Sequence, residues 1–202
     1  AETRAGTAAA AELMGEFLPM AADRRRNPRD DLLSFIAGDP ELELEDVVIT
    51  AILIAVAGYE TTANLLGAGL IRLLHARPDG SRLADHIDAA DPAVVTELLR
   101  LDSPVQAALR TATRDTRVGD TDIAAGSTAL VVLAAANRDP AVFRDPSAFR
   151  LDRTGPAPLT FGYGAHHCLG ASLARIEITT ALPRILARKP QLTGVPVWRD
   201  AP

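Results

Sequence analysis

The chain has 202 residues, enough to bury a substantial core, and its 48% hydrophobic and 23% charged side chains exclude a disordered or low-complexity polymer. A net charge of −5 excludes a nucleic-acid-binding surface over the whole molecule but leaves room for a local docking patch. One cysteine forms no disulfide framework, so a reducing, cytoplasmic location is the expectation.

Residues 1–40, AETRAGTAAAAELMGEFLPMAADRRRNPRDDLLSFIAGDP, are alanine-rich at the start and read as the end of a helix, a basic linker and a short helix. They hold no basic leader followed by an apolar run, so neither a signal peptide nor an anchor is expected. Next, LEDVVITAILIAVAGYETTANLLGAGLIRLLHA, Leu44 to Ala76, reads as one long helix, apolar nearly all round at its centre and therefore buried. Asp39 and Pro40 offer its cap and first turn. Its unbroken apolar run falls short of the roughly 20 residues a membrane span requires, and Glu60 and Asn64 interrupt the turns after it, so no span is expected.

Inside that helix stands AGYETT, Ala57 to Thr62. An acid beside a hydroxyl is an odd choice for a core. Thr61 can bond back to the carbonyl four residues earlier or turn its hydroxyl to a cavity; the plain reading is a satisfied threonine and a surface Glu60. In VVTELLRLDSP, Glu97 and Arg100 are three apart and share one helix face. Such pairs are commonly solvated surface contacts. Here Val94, Val95, Leu98, Leu99 and Leu101 leave little polar surface, which favours a partly buried, bidentate pair that needs further hydrogen bonds. RTATRD comes next, Arg110 to Asp115, and alternation over Thr121 to Leu133 predicts short strands. The Pro- and Asp-rich run from Ala136 to Arg153 predicts irregular structure.

The lone cysteine lies in FGYGAHHCLG, Phe161 to Gly170, where a glycine-rich loop gives way to LGASLARIEITTAL, with Leu169, Leu173, Ile176 and Leu182 near helical spacing. Cys168 should therefore fall close to a helix N-terminus, a setting that suits a metal-binding thiolate. Gly162, Gly164 and Gly170 would let a flat group lie against the backbone. A small buried hydrophobe is the bland alternative, and zinc held with His166 and His167 another, although His75 and His86 stand far away in sequence.

FGYGAHHCLG resembles the haem-binding loop of the cytochrome P-450 monooxygenases, Phe-Gly-x-Gly-x-His-x-Cys-x-Gly, with every fixed position present. AGYETT is similar to the family's oxygen-activation motif, Glu97 and Arg100 to its Glu-x-x-Arg pair, and Arg153 falls where the family supplies the third member of that network. The four motifs occur in the family's order. Pro158 departs from it, since many relatives carry a histidine there.

The resemblance implies a mainly α fold with a small β component, in which the chain is the C-terminal part of a single domain, residues 1–202, lacking the N-terminal half and a closing hairpin beyond VPVWRDAP. It implies haem b as cofactor, with Cys168 as the axial thiolate on iron and Arg110 and His166 on the propionates. Phe161 would pack near the sulfur, while Gly164 and Gly170 allow close approach. Glu60 and Thr61 would deliver protons, and Glu97, Arg100 and Arg153 would anchor the segment leading to the loop. Ile54, Ala57, Val105 and Leu109 would line a substrate pocket.

The implied activity is O2-dependent hydroxylation or epoxidation of a small apolar organic substrate, with electrons from a ferredoxin- or flavodoxin-type donor and its reductase. Arg175, Arg184, Arg188 and Lys189 are candidates for meeting that donor. No nucleic acid and no membrane is implied. Without that N-terminal half, apolar faces of the long helix are expected to lie open to water. The alternative function is a non-catalytic truncated remnant or an interaction fragment.

Overall fold

Helix α1 spans Glu2–Arg26 and the short α2 spans Leu32–Ala37. In this computed structural model, which describes residues 2–194, the chain separates into two units, one ending at Glu60 and the other beginning at Thr61. In the first unit, Arg24, Arg25 and Arg26 form the last turn of α1 instead of a linker, where cations suit the helix's negative end. Arg25 donates to the carbonyls of Ala37 at 3.0 Å and Leu42 at 2.7 Å, so α1 holds the chain leaving α2. Asp31 caps α2 by accepting from the Ser34 N–H at 2.8 Å. Ala21, Ala37, Val47 and Val48 form the core here, with Phe17, Leu33 and Ile52 packed against it.

The long helix α3 covers Leu44–Leu74. It starts later than Asp39 and Pro40 suggest, with Glu45 and Asp46 in its first turn, where the positive end of the helix favours carboxylates. Its expected buried centre is not observed. Residues 55–60 are all exposed, and Leu53 and Tyr59 stand 64% and 81% open, because the first unit's core closes over the earlier turns around Val47 and Val48. On length and composition α3 could also cross a membrane, contrary to the sequence expectation; core helices pass the same test.

In the second unit, Leu65 and Leu73 of α3 pack with helix α4, Pro92–Leu101, and helix α6, Ala171–Leu186. Val94, Val95, Leu98, Leu99, Ile178 and Leu182 complete this core. A Cβ on Gly69 would lie 3.0 Å from a Leu98 methyl, so the glycine permits close approach of side chain to helix. Arg72 reaches Asp102, the residue capping α4, through two hydrogen bonds, one of 2.6 Å, and so joins the ends of two helices.

Among the described residues, four short strands make two antiparallel pairs, β1 (Ala108–Thr111) with β4 (Thr128–Val131), and β2 (Thr116–Val118) with β3 (Thr121–Ile123). Arg110 faces Ala129 in the first pair, and Val118 faces Thr121 in the second. After α5, Leu133–Ala136, the chain runs without long elements to a 3-10 turn at Leu159–Phe161, then through a second at Gly164–His166 into α6. The architecture is mainly helical with a small sheet component. The segment VPVWRDAP, with the hairpin expected beyond it, lies outside the described residues.

Candidate functional site

Cys168 is exposed, carries a free thiol and lies three residues before α6. Its backbone N–H donates to the Phe161 carbonyl at 2.8 Å, which closes the loop on itself. Gly162 donates to Leu159 O at 2.8 Å, and His167 N–H to Gly164 O at 3.0 Å. Gly162 and Gly164 both have φ of 73°, a left-handed conformation that glycine adopts without a Cβ clash. Added at Gly164, a Cβ would meet nothing within 4 Å; at Gly170 it would lie 3.9 Å from Cys168 Sγ. The loop therefore presents its sulfur beside open space. Tyr163 and Leu169, 88% and 93% exposed, leave apolar surface around it.

The bland reading of Cys168 as a buried hydrophobe is overturned by this exposure. Among the described residues no three His, Cys, Asp or Glu side chains gather to hold a metal ion, so zinc with His166 and His167 lacks the ligands it needs. A single thiolate donor instead fits a metal whose other ligands come with it, as in a porphyrin.

The segment leading to the loop is held from α4. Arg100 Nε and NH2 donate to the two Glu97 oxygens at 2.8 and 2.7 Å, with both side chains almost wholly buried. Arg153 Nε meets the same carboxylate at 2.9 and 3.1 Å, and the Arg150 N–H adds a bond of 3.0 Å. Burial alone pushes the Glu97 carboxyl up, but the hydrogen bonds from Arg100, Arg153 and Arg150 outweigh it and hold the group below its ordinary value. The surface-pair reading thus fails, since no lone pair of Glu97 faces solvent alone. A cavity of about 660 Å³ lies beside this cluster, lined by Glu97, Arg100, Arg153, Pro158 and Arg175 among others.

Arg175 differs from the expectation of a docking cation. It is half-buried, lies 5.3 Å over the Phe161 ring and donates to Thr96 at 3.1 Å, because its position one turn into α6 faces the loop. Arg184, Arg188 and Lys189 are exposed. Phe161 also meets His167, with ring centroids 6.4 Å apart in an edge-on arrangement.

The remaining candidates are more dispersed. Arg110 is exposed on β1 and donates to its neighbour Leu109 O at 2.8 Å; His166 is exposed as well. Val105 and Leu109 are 42% and 66% exposed. In α3, Ile54 is half-buried, Ala57 and Glu60 are exposed, and Thr61 is half-buried. Thr62, beside it, donates to Glu177 of α6 at 3.2 Å, a tie that AGYETT did not announce.

Sequence reasoning also missed Asn137 and Thr160, both buried between α4 and the loop. Their signal was present but ambiguous, since an Asn or Thr in an irregular segment commonly serves a turn.

Comparison with known proteins gives a consistent result. The cytochrome P-450 family model matches residues 92–188. The biotin biosynthesis cytochrome P-450 of Bacillus subtilis (strain 168) is 36% identical over 201 residues, which cover 98% of this chain and 51% of that protein. A putative cytochrome P-450 140 of Mycobacterium tuberculosis is 43% identical over 176 residues, 83% of this chain and 40% of that protein. Among solved structures, the ligand-free P-450 monooxygenase TamI superposes with a TM-score of 0.84 at 35% identity, covering 98% of this chain and 51% of that one. The chain spans about half the length of the curated relatives it matches.

Proposed function

The chain belongs to the cytochrome P-450 family, and on that basis we propose that it serves a haem-thiolate monooxygenase acting on a small apolar organic substrate. One observation carries the reading: an exposed, unpaired Cys168 thiol on a loop that its own backbone closes, preceded by a segment that the buried Glu97 cluster holds. Haem b held there by Cys168 would supply the O2-activating chemistry.

The other tasks fall to side chains of this chain. Gly164, where an added Cβ would meet nothing within 4 Å, leaves room for a flat group against the loop. Arg110 and His166 would hold its carboxylates by charge-assisted hydrogen bonds. Glu60, exposed, would collect protons from water, and the Thr61 hydroxyl would hold them toward the oxygen side, a role that requires a donor within hydrogen-bond reach. Ile54, Ala57, Val105 and Leu109 would orient substrate and exclude water. The exposed Arg184, Arg188 and Lys189 would attract an acidic ferredoxin- or flavodoxin-type electron donor, itself served by a reductase.

A second reading is favoured by the open face at Leu53, Val56 and Tyr59: the 202-residue chain alone as a non-catalytic remnant. One experiment addresses both. The full-length protein, reduced and treated with carbon monoxide, should show a thiolate-ligated haem band that Cys168→Ser abolishes; persistence of the band in the variant removes Cys168 as ligand. The same band in the 202-residue chain alone would end the remnant reading.

A further inference from the structure

We infer that Asn137 and Thr160 are positioning residues that transmit the geometry of α4 to the Cys168 loop, an inference that rests on Cys168 being the haem ligand. Asn137 is 0% exposed and directly succeeds α5. Its backbone carbonyl accepts from Arg100 NH1 at 2.9 Å, so the Glu97 cluster fixes its main chain. Its side chain turns the other way. Nδ2 donates to Thr160 Oγ1 at 3.1 Å, and Oδ1 accepts from the Leu159 N–H at 2.7 Å. Only this orientation of the amide pairs both groups, since the flipped form would set an N–H₂ against the Leu159 N–H.

Thr160 completes the connection. Its hydroxyl donates to the Leu99 carbonyl at 2.7 Å, one of the last carbonyls of α4 that the helix itself leaves without a partner. The next residue is Phe161, whose carbonyl holds the Cys168 N–H, and Leu159 O holds the Gly162 N–H. Two buried polar side chains therefore fix the register of Leu159–Phe161 against the helix, and that segment fixes the amide of the cysteine. Sequence position conceals this, because Asn137 and Thr160 are 23 residues apart. Neither touches the open space beside the sulfur in these contacts, so their effect on haem passes through the loop.

The test uses the full-length holoprotein. Thr160→Val keeps the shape and removes both hydrogen bonds of the hydroxyl; Thr160→Ser keeps the hydroxyl. In reduced, carbon monoxide-treated samples the ratio of thiolate-ligated to thiol-ligated haem should fall about tenfold in Thr160→Val, a size typical of a buried group losing its partner. Thr160→Ser should restore it. A Thr160→Val protein that melts at lower temperature but keeps the wild-type ratio overturns the inference, because a merely structural residue would lower stability alone. Should Thr160→Val not fold, Asn137→Ser is read the same way.

Should both variants fail, hydrogen exchange in the wild type decides: on warming, loss of the thiolate band should coincide with exposure of the Leu159 N–H. Loss of the band while that N–H stays protected overturns the inference. Absence of the band from wild type would instead defeat the haem-ligand reading, a distinguishable result.

Discussion

Arg100 gathers five hydrogen bonds in an almost fully buried setting. Two go to Glu97, and three to the carbonyls of Asn137, Pro146 and Ala148 at 2.9, 2.7 and 3.1 Å. Its guanidinium also lies 5.2 Å over the Phe143 ring. A planar fork is needed to serve a carboxylate and three carbonyls at once, which lysine could not do. Arg100→Leu leaves Glu97 with only part of its compensation and should cost about 3–5 kcal/mol, as breaking a buried pair generally does. Thermal unfolding and haem content of the full-length variant check this; normal values for both would show that the cluster is not an anchor. The pairing of Glu97 with Arg100 was legible from spacing alone, because three residues bring side chains to one face. The three carbonyls were not, since they arrive from residues 37 to 48 positions away.

At the scale of elements, a short helix depends most on its ends. Six residues do not sustain a helix in water, so α2 relies on Asp31 and on packing. A hydrogen bond from Arg24, then those from Ser34, hold the Asp31 carboxyl at about 2 against an ordinary 3.8. A carboxyl lowered on folding contributes stability that is present above its unfolded value and lost as pH falls through the folded one. Protection of the Ser34 amide in α2 should thus decline between about 3.8 and about 2. Hydrogen exchange at stepped pH measures it. Asp31→Asn, which keeps a capping oxygen, should remove that pH step, and an unchanged step would assign it to another group. The capping Asp was readable in sequence only as one of several acids; Arg24 selects it by reaching back from α1.

For the whole molecule, the long helix α3 matters most. Its exposed Ile49, Leu53, Val56 and Tyr59 recur at helical spacing and form an unpartnered stripe. The chain also spans about half the length of its relatives. An apolar stripe of this kind promotes association in water. The 202-residue chain alone should therefore self-associate in sedimentation experiments and bind a hydrophobic dye. Replacing Leu53→Lys and Val56→Lys together should reduce both without lowering the melting temperature, since neither side chain is in the core. Monomeric wild-type chain with no dye binding would contradict this.

Local chemistry was determined by the sequence itself. Helical spacing announced α3, α4 and α6, a loop with glycines at 162 and 164 set off the cysteine, and the motif order carried the family resemblance. These features depend on residue type and near neighbours, which the chain order contains. Tertiary structure alone decided which distant side chains meet: Asn137 with Thr160, Arg175 with Phe161, Thr62 with Glu177. It also decided that the centre of α3 lies open, whereas apolar composition had suggested burial. Burial and pairing depend on the groups that folding brings alongside a residue, and a periodic pattern shows which face is apolar without showing what covers it.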